Sequence, residues 1–370
     1  MSGPDRPRVA IAHDYLTQRG GAERVVLAML RAFPGATIYT TLYDPDGTYP
    51  EFADARIVTS PLNRIGPLRR NHRAALPLLA WAAGTLRIDA DVVVVSSSGW
   101  AHGFPTAAKR LVYCYSPARW LYQTETYLGG PPTRSAKGLI ILALRPWLRG
   151  WDRRQAAKAT KYLAISRVVQ ERIRDTYGLA SEVVPAPHSY DAAAPQEPID
   201  ALADWPDFHL VVSRLLPYKN VTQVVDAFAG LPEQRLVIIG RGPLATELAE
   251  RAPANVRLLS GLSDAQMRWA YAHCTALIAP SFEDFGLTPL EAGVYGKPSL
   301  TLRAGGYLDT IAEGVTGAHF DDPSADSIRA AVVANGAMTW NAERIKAHVA
   351  LFSEEHFAAA LRERVDSLLA

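Results

Sequence analysis

The segment Ser281–Ser299, SFEDFGLTPLEAGVYGKPS, places two carboxylates eight positions apart, Glu283 and Glu291. Ionised carboxylates accept hydrogen bonds only, which suits the hydroxyls of a sugar. Thr288 followed by Pro289 reads as a helix start, with Thr288 at the N-cap and Pro289 at the first helical position. Glu291 then falls at the third position and closes a Thr-x-x-Glu capping box. It reads either as a cap contributing about 1 kcal/mol or as a carboxylate that holds the two hydroxyls of a ribose. Glu283 lies in the preceding loop, has no capping role, and is placed to grip sugar hydroxyls. The helix N-terminus, opened by Phe285-Gly286-Leu287, suits an anion.

Cations follow a second strand-to-helix turn, Ser213–Asn220, SRLLPYKN. Arg214 and Lys219 flank its proline, and this pair suits a diphosphate, one as a planar fork and the other as a point charge. Gly20 and Gly21 lie between a strand and a helix, where small residues let a backbone approach a phosphate. They do not form the alternating-glycine dinucleotide fingerprint. Ile239–Pro243, IGRGP, sits at another strand end, where Gly240 leaves room for a ligand or simply makes a turn. Asp44-Pro-Asp46 and Asp89-Ala-Asp91 match a D-x-D metal pattern, but turn chemistry explains both. No bound metal is expected.

The elements that position these residues alternate in type. Arg8–His13, Asp91–Ser96, Arg110–Cys114 and Tyr162–Ile165 read as strands. Ala22–Ala32 and Ser166–Tyr177 read as helices, and about Ala136–Tyr162 as a long helical region. Val184–Pro206 then holds five prolines and reads as a break. The rhythm restarts with strands His209–Ser213, Arg235–Gly240, Val256–Leu259 and Ala276–Ala279. Helices Val221–Ala229, Leu244–Arg251, Asp264–His273 and Pro289–Tyr295 alternate with them. The fold class is therefore α/β, with two Rossmann-like, doubly wound parallel-sheet domains facing a cleft. Residues 1–190 form the first domain, 191–206 the linker and 207–350 the second. Residues 351–370 form a C-terminal helix that packs back on the first domain.

Composition bounds the function. Of 370 residues, 48% are hydrophobic and 21% charged, as in a globular enzyme. The net charge of +2 argues against a nucleic-acid partner. It conceals an asymmetry, +8 over residues 1–200 and −6 over 201–370. Residues 131–161 carry eight Lys/Arg and one acidic residue among leucines and tryptophans, the composition of a basic amphipathic helix. This stretch reads as a surface for an anionic membrane or as a solvated face. Cys114 and Cys274 have no metal or redox spacing and fit a reducing, cytoplasmic setting. The N-terminus lacks the apolar stretch of a signal peptide.

Together these motifs resemble the retaining glycosyltransferases of family 4, which have the GT-B fold, over nearly the whole chain. EDFGLTPLE with its trailing YGKP carries the likeness most strongly, supported by SRLLPYKN, HDYLTQRGGAERVV, SSSGWAHG, YSPARW, LRGWDRR and LAISRVVQERIRDTYG. The nearest subgroup is the bacterial mannosyltransferase-like enzymes of surface polysaccharide and glycolipid assembly. The resemblance implies metal-independent transfer of a hexose, with retention, to a glycan or lipid-linked hydroxyl. The donor would be GDP-mannose first and a UDP-sugar second, with no bound cofactor. Arg214 and Lys219 would hold the donor diphosphate and Glu283 the transferred sugar. Glu291 would bind ribose, and Leu287 and Thr288 would donate backbone N–H groups to phosphate. Leu262 and Gly240 would lie near the nucleotide, with Gly20 and Gly21 lining the same pocket from the first domain. The acceptor side would draw on His13, Asp14, His102, Tyr115 and Arg119.

One residue departs from the pattern. Tyr115 stands in LVYCYSP where many relatives have histidine, and a phenol is no base near neutrality. His102 and His13 are the nearest substitutes by sequence. The leaving phosphate oxygen taking the acceptor proton would make the change tolerable. Trp100, Tyr113, Trp120, Tyr122 and Tyr127 read either as sugar-stacking rings or as ordinary core aromatics. Two other functions fit less well, a sugar-nucleotide 2-epimerase of the same fold and a non-catalytic sugar-nucleotide-binding subunit. The expected location is cytoplasmic, peripheral on the inner face of the membrane.

Overall fold

The computed structural model describes residues 7–125, 130–134 and 136–370. The chain forms two compact units. One runs up to Pro187 and takes in Glu354–Ala370, and the other is His188–Ser353.

The first unit is built on a seven-stranded, wholly parallel sheet in the order β3-β2-β1-β4-β5-β6-β7. Its strands are β1 Val9–His13, β2 Thr37–Thr40, β3 Ile57–Thr59, β4 Val92–Ser97, β5 Lys109–Cys114, β6 Lys161–Ala164 and β7 Glu182–Val183. Every residue of β4, VVVVSS, is buried, which marks a central strand covered on both faces. The connections run outward from β1 on one side and from β4 on the other. The crevice beyond β1 and β4 is thus the switch point where doubly wound sheets bind ligands. Register pairs His13 with Ser96 there.

The second unit has a six-stranded parallel sheet in the order β10-β9-β8-β11-β12-β13. These strands are β8 His209–Val212, β9 Leu236–Ile239, β10 Val256–Leu259, β11 Ala276–Ala279, β12 Ser299–Leu302 and β13 Gly317–Phe320. Its switch point lies beyond β8 and β11. The helix Asp264–His273 carries a complete capping box, Ser263 with Gln266.

Several expectations are modified. The long helix of the first unit ends at Ala156, not near Tyr162, because β6 begins at Lys161. Residues 191–206, read as a linker, carry Ile199, Leu202 and Trp205 into the core of the second unit beside Phe208 and Tyr271. Prolines loosen that stretch's secondary structure but not its packing. The C-terminal helix Glu354–Leu369 buries Phe357, Ala358, Leu361 and Val365 within the first unit. Arg31 pairs with Glu354 there, and the Tyr113 and Phe357 rings meet edge-on at 5.4 Å.

Candidate donor and acceptor sites

In the second unit the loops after β8 and β11 meet at the switch point. Pro217 starts a short helical turn, Pro217–Lys219, which ends on Asn220 in the left-handed region at φ 55°. That turn directs the Lys219 side chain inward, leaving it only 8% exposed. Its ammonium pairs with Glu283 Oε1. Ser281 Oγ donates to the same oxygen at 2.7 Å. Asn220 Nδ2 donates to the Pro280 carbonyl at 3.0 Å and ties the two loops together. Lys219, Ser281 and Glu283 therefore form one charge-assisted cluster. Arg214 stands apart from it, exposed, with its guanidinium donating to Tyr218 Oη at 2.9 Å.

The helix beside this cluster starts earlier than the Thr288-Pro289 pair suggests. It spans Leu287–Val294, and its N-cap is Gly286 at φ 88°. Thr288 is therefore the second helical residue and no capping box forms. The cause is local, because glycine adopts the left-handed conformation that lets the chain enter the helix one residue sooner. A Cβ at Gly286 would also come within 2.4 Å of the Tyr307 ring. Leu287 and Thr288 thus hold the first two N–H positions, which have no intrahelical partner. Glu291, freed from capping, accepts from Tyr271 Oη at 2.5 Å. Burial, and then the Glu291 charge, push the Tyr271 phenol well above its ordinary range, so it stays a donor.

A cavity of about 530 Å³ opens at the ends of β8, β9 and β10, lined by Ser213, Arg214, Gly240, Arg241, Gly261 and Leu262 among others. Gly240 forms its floor. A Cβ there would fall 1.9 Å from the Ser213 carbonyl oxygen. Lys219 and Glu283 do not line this cavity; Arg214 and Arg241 are cations that do.

In the first unit the expected acceptor residues divide into four places. Asp14 is buried, and its carboxylate accepts the N–H groups of Ser98, Trp100 and Ala101, so it shapes the turn after β4. His102 is also buried, with Nε2 3.0 Å from Asp152 Oδ1, and Asp152 takes the Tyr122 hydroxyl at 2.8 Å. Arg119 is exposed on the short helix Arg119–Tyr122. His13 and Tyr115 meet through Ser96, whose Oγ lies 2.9 Å from each of His13 Nδ1 and Tyr115 Oη. Burial drives the Tyr115 phenol far above its ordinary range. Gly20 is the N-cap of the helix Gly21–Ala32. Of the aromatics, Trp100, Tyr113 and Trp120 are buried, and Tyr127 lies outside the described residues. Asp89 and Asp91 pair with Arg8 at an exposed edge.

Four participants carried no signal strong enough to single them out. Ser281 and Tyr271 look like ordinary loop and helix residues. Asp152 is the lone acid of a basic stretch, and Glu23 reads as a helix-dipole compensator. Only tertiary pairing gives them a role.

Residues 19–192 match Glycosyltransferase Family 4, and residues 197–334 match Glycosyl transferases group 1. The chain is 36% identical over 131 residues to the glycogen synthase of Pseudomonas aeruginosa, covering 33% of this chain and 26% of that one. It is 32% identical over 175 residues to the D-inositol 3-phosphate glycosyltransferase of Mycobacterium avium, covering 42% and 40%. The chain thus spans about a quarter to two fifths of the length of these relatives. The crystal structure of Anabaena HepE with UDP and glucose superposes with a TM-score of 0.67 at 16% identity, covering 98% of this chain and 100% of that one. The protein therefore has the GT-B fold. Its two halves are glycosyltransferase domains, the first of Family 4 and the second of group 1.

Proposed function

We propose that the protein is a metal-independent, retaining glycosyltransferase that moves a hexose from a nucleoside diphosphate sugar to a hydroxyl of a glycan or lipid-linked acceptor. The observation that carries this reading is the Lys219–Ser281–Glu283 cluster beside the open N-terminus of Leu287–Val294. A cation and two free backbone donors suit a departing diphosphate. A carboxylate paired with that cation suits the hydroxyls of the sugar it carries. In this reading Lys219 exchanges Glu283 for phosphate when donor binds, and Arg214 adds a second cation from the cavity wall. Glu291, oriented by Tyr271, receives the ribose, and Gly240 and Leu262 flank the nucleobase.

The anomeric C–O bond breaks with oxocarbenium character, and the acceptor oxygen bonds to the anomeric carbon on the same face. The leaving phosphate oxygen takes the acceptor proton, so no dedicated base is required. Asp14 and His102, engaged by internal partners, shape the acceptor side, while His13, Tyr115 and Arg119 stand nearer to substrate.

The favoured donor is GDP-mannose, with a UDP-sugar second. HepE was solved with UDP and glucose, so both nucleotides belong in the test. The first unit also exposes Leu139, Ile140 and Trp147 on the helix Ala136–Ala156, and Leu78 and Trp81 on the helix His72–Thr85. With the arginines of Ala136–Ala156, these residues suit peripheral attachment to an anionic cytoplasmic membrane face. Among the described residues no helix is long and apolar enough to cross a membrane. The test of function is nucleotide release from a donor panel with glycan and lipid-linked acceptors, with the product anomer read by NMR. Acceptor-dependent release with retention is expected; release with inversion, or no release from any donor, refutes the proposal.

A further inference from the structure

At the carboxyl end of the first unit's sheet, two buried polar atoms, His13 Nε2 and Glu23 Oε2, lack a hydrogen-bond partner among the described residues. Both residues are nearly inaccessible, at 2% and 1% exposure. They face each other, with Nε2 4.0 Å from Glu23 Oε1. That gap exceeds a hydrogen bond. Glu23 Oε1 also takes Gln18 Nε2 at 3.1 Å, which leaves Oε2 as the open acceptor. Leaving such atoms unpaired is costly, and a paired guest relieves that cost.

Gly20 abuts the open oxygen. A Cβ at Gly20 would lie 2.6 Å from Glu23 Oε2. The Gly20 backbone, at φ −127°, is ordinary extended chain. Room for the carboxylate, not backbone strain, therefore calls for glycine here.

The hydrogen-bond chain behind His13 has a fixed direction. Tyr115 Oη lies 3.2 Å from the Ala22 carbonyl, which can only accept. A phenol has one proton, so toward Ser96 it must accept. Ser96 Oγ spends its own proton on Tyr115 and accepts from His13 Nδ1. The Ser96 carbonyl, 3.3 Å from the same nitrogen, is a second pure acceptor. Both place the proton on Nδ1. Burial keeps the Tyr115 phenol protonated, so the chain does not reverse.

We propose that Tyr115, acting through Ser96, holds His13 with its proton on Nδ1 and its Nε2 turned to Glu23, and that His13 and Glu23 receive two neighbouring sugar hydroxyls beneath the Gly20 turn. Tyr115 and Ser96 are positioning residues, and His13 and Glu23 are the binding pair. One hydroxyl donates to Glu23 Oε2 and its neighbour donates to His13 Nε2. This role rests on the transferase reading for its ligand, but the tautomer does not.

Two measurements test it. The first is the ¹⁵N–¹H long-range spectrum of His13 in the ¹⁵N-histidine-labelled full chain. The wild type should show a protonated Nδ1, and Tyr115→Phe, which frees the Ser96 hydroxyl proton to turn toward Nδ1, should shift His13 toward the Nε2-protonated form. An unchanged His13 pattern in this variant overturns the positioning role, because loss of packing alone leaves the tautomer in place. The second measurement uses Glu23→Gln. Titration with GDP and GDP-mannose, and with UDP and UDP-glucose, separates the donor sugar from its nucleotide, and the KM for acceptor reports the other source of hydroxyls. Affinity for one sugar-bearing ligand should fall at least about tenfold, with affinity for the bare nucleotide unchanged. Wild-type turnover with no loss of sugar affinity in Glu23→Gln overturns the binding role and leaves the transferase reading standing. Absence of wild-type binding to every nucleotide sugar overturns the transferase reading and the binding role together, and the tautomer spectrum still decides the positioning role.

Discussion

Replacing His209 by leucine should remove an acid-sensitive share of the second unit's stability. His209 opens β8, is 3% exposed, and its ring meets Phe228 edge-on at 5.5 Å. Neither ring nitrogen finds a hydrogen-bond partner among the described residues. Burial lowers its pKa from 6.5 to about 4, partly offset by the nearby Arg235 carbonyl. Above pH 6.5 the ring is neutral whether the chain is folded or not, and pH has no leverage through it. Between pH 6.5 and about 4 the unfolded chain binds the proton first, so stability falls as pH falls. Below that both states are charged and the loss is complete. A lowering of this size corresponds to about 3 kcal/mol in full and about 2 kcal/mol by pH 5. Denaturant unfolding at pH 7.5 and pH 5 measures it. Wild-type stability should drop by about 2 kcal/mol more than that of His209→Leu over this interval. The cavity cost of the substitution is the same at both pH values and cancels. Parallel pH dependence in the two proteins would refute the reasoning.

Other variants probe the proposed donor side and the membrane face. Tyr271→Phe removes the 2.5 Å hydrogen bond to Glu291 and leaves the ring in place. The donor KM should rise about tenfold with kcat nearly unchanged, and a normal KM would detach Glu291 from nucleotide binding. Gly240→Ala drives a Cβ into the Ser213 carbonyl at the cavity floor. Stability should fall by about 1–3 kcal/mol with loss of nucleotide binding by calorimetry, and retained binding would place the nucleotide elsewhere. Co-sedimentation with liposomes should require anionic lipid and fade in Trp147→Ser or at high salt. Pelleting with neutral lipid alone would contradict the attachment reading.

Much of the architecture is legible because central parallel strands read as unbroken apolar runs. RLVIIG and ALIA each contain the strand they suggest, and DVVVVS stops one residue short of the end of β4. The strands β2, TIYT, and β13, GAHF, are no shorter than β9 or β11 but are half-buried and lack an unbroken apolar run, so the same signal misses them. The Thr288-Pro289 pair obeys a cap rule, yet Gly286 at φ 88° overrides it, and no local pattern states which wins. Arg214, Lys219 and Glu283 stand out by type. That Lys219 and Glu283 touch across 64 residues follows only from the neighbouring positions of β8 and β11. Glu23 shows the limit most clearly. An acidic residue in a helix's first turn has a sufficient local reason to be there, and its facing His13 arrives from a different strand. The prolines of 185–206 mark irregular chain correctly but conceal the packing of Trp205.

The most direct measurement of the central claim is steady-state transfer by Lys219→Ala and Glu283→Ala beside the wild type, with the best donor from the panel. Loss of a preorganised cation at the leaving diphosphate should lower kcat/KM at least about 100-fold. Glu283→Ala should fall comparably while nucleotide binding persists. Transfer within a few fold of wild type in both variants would contradict the assignment of this cluster as the reacting centre.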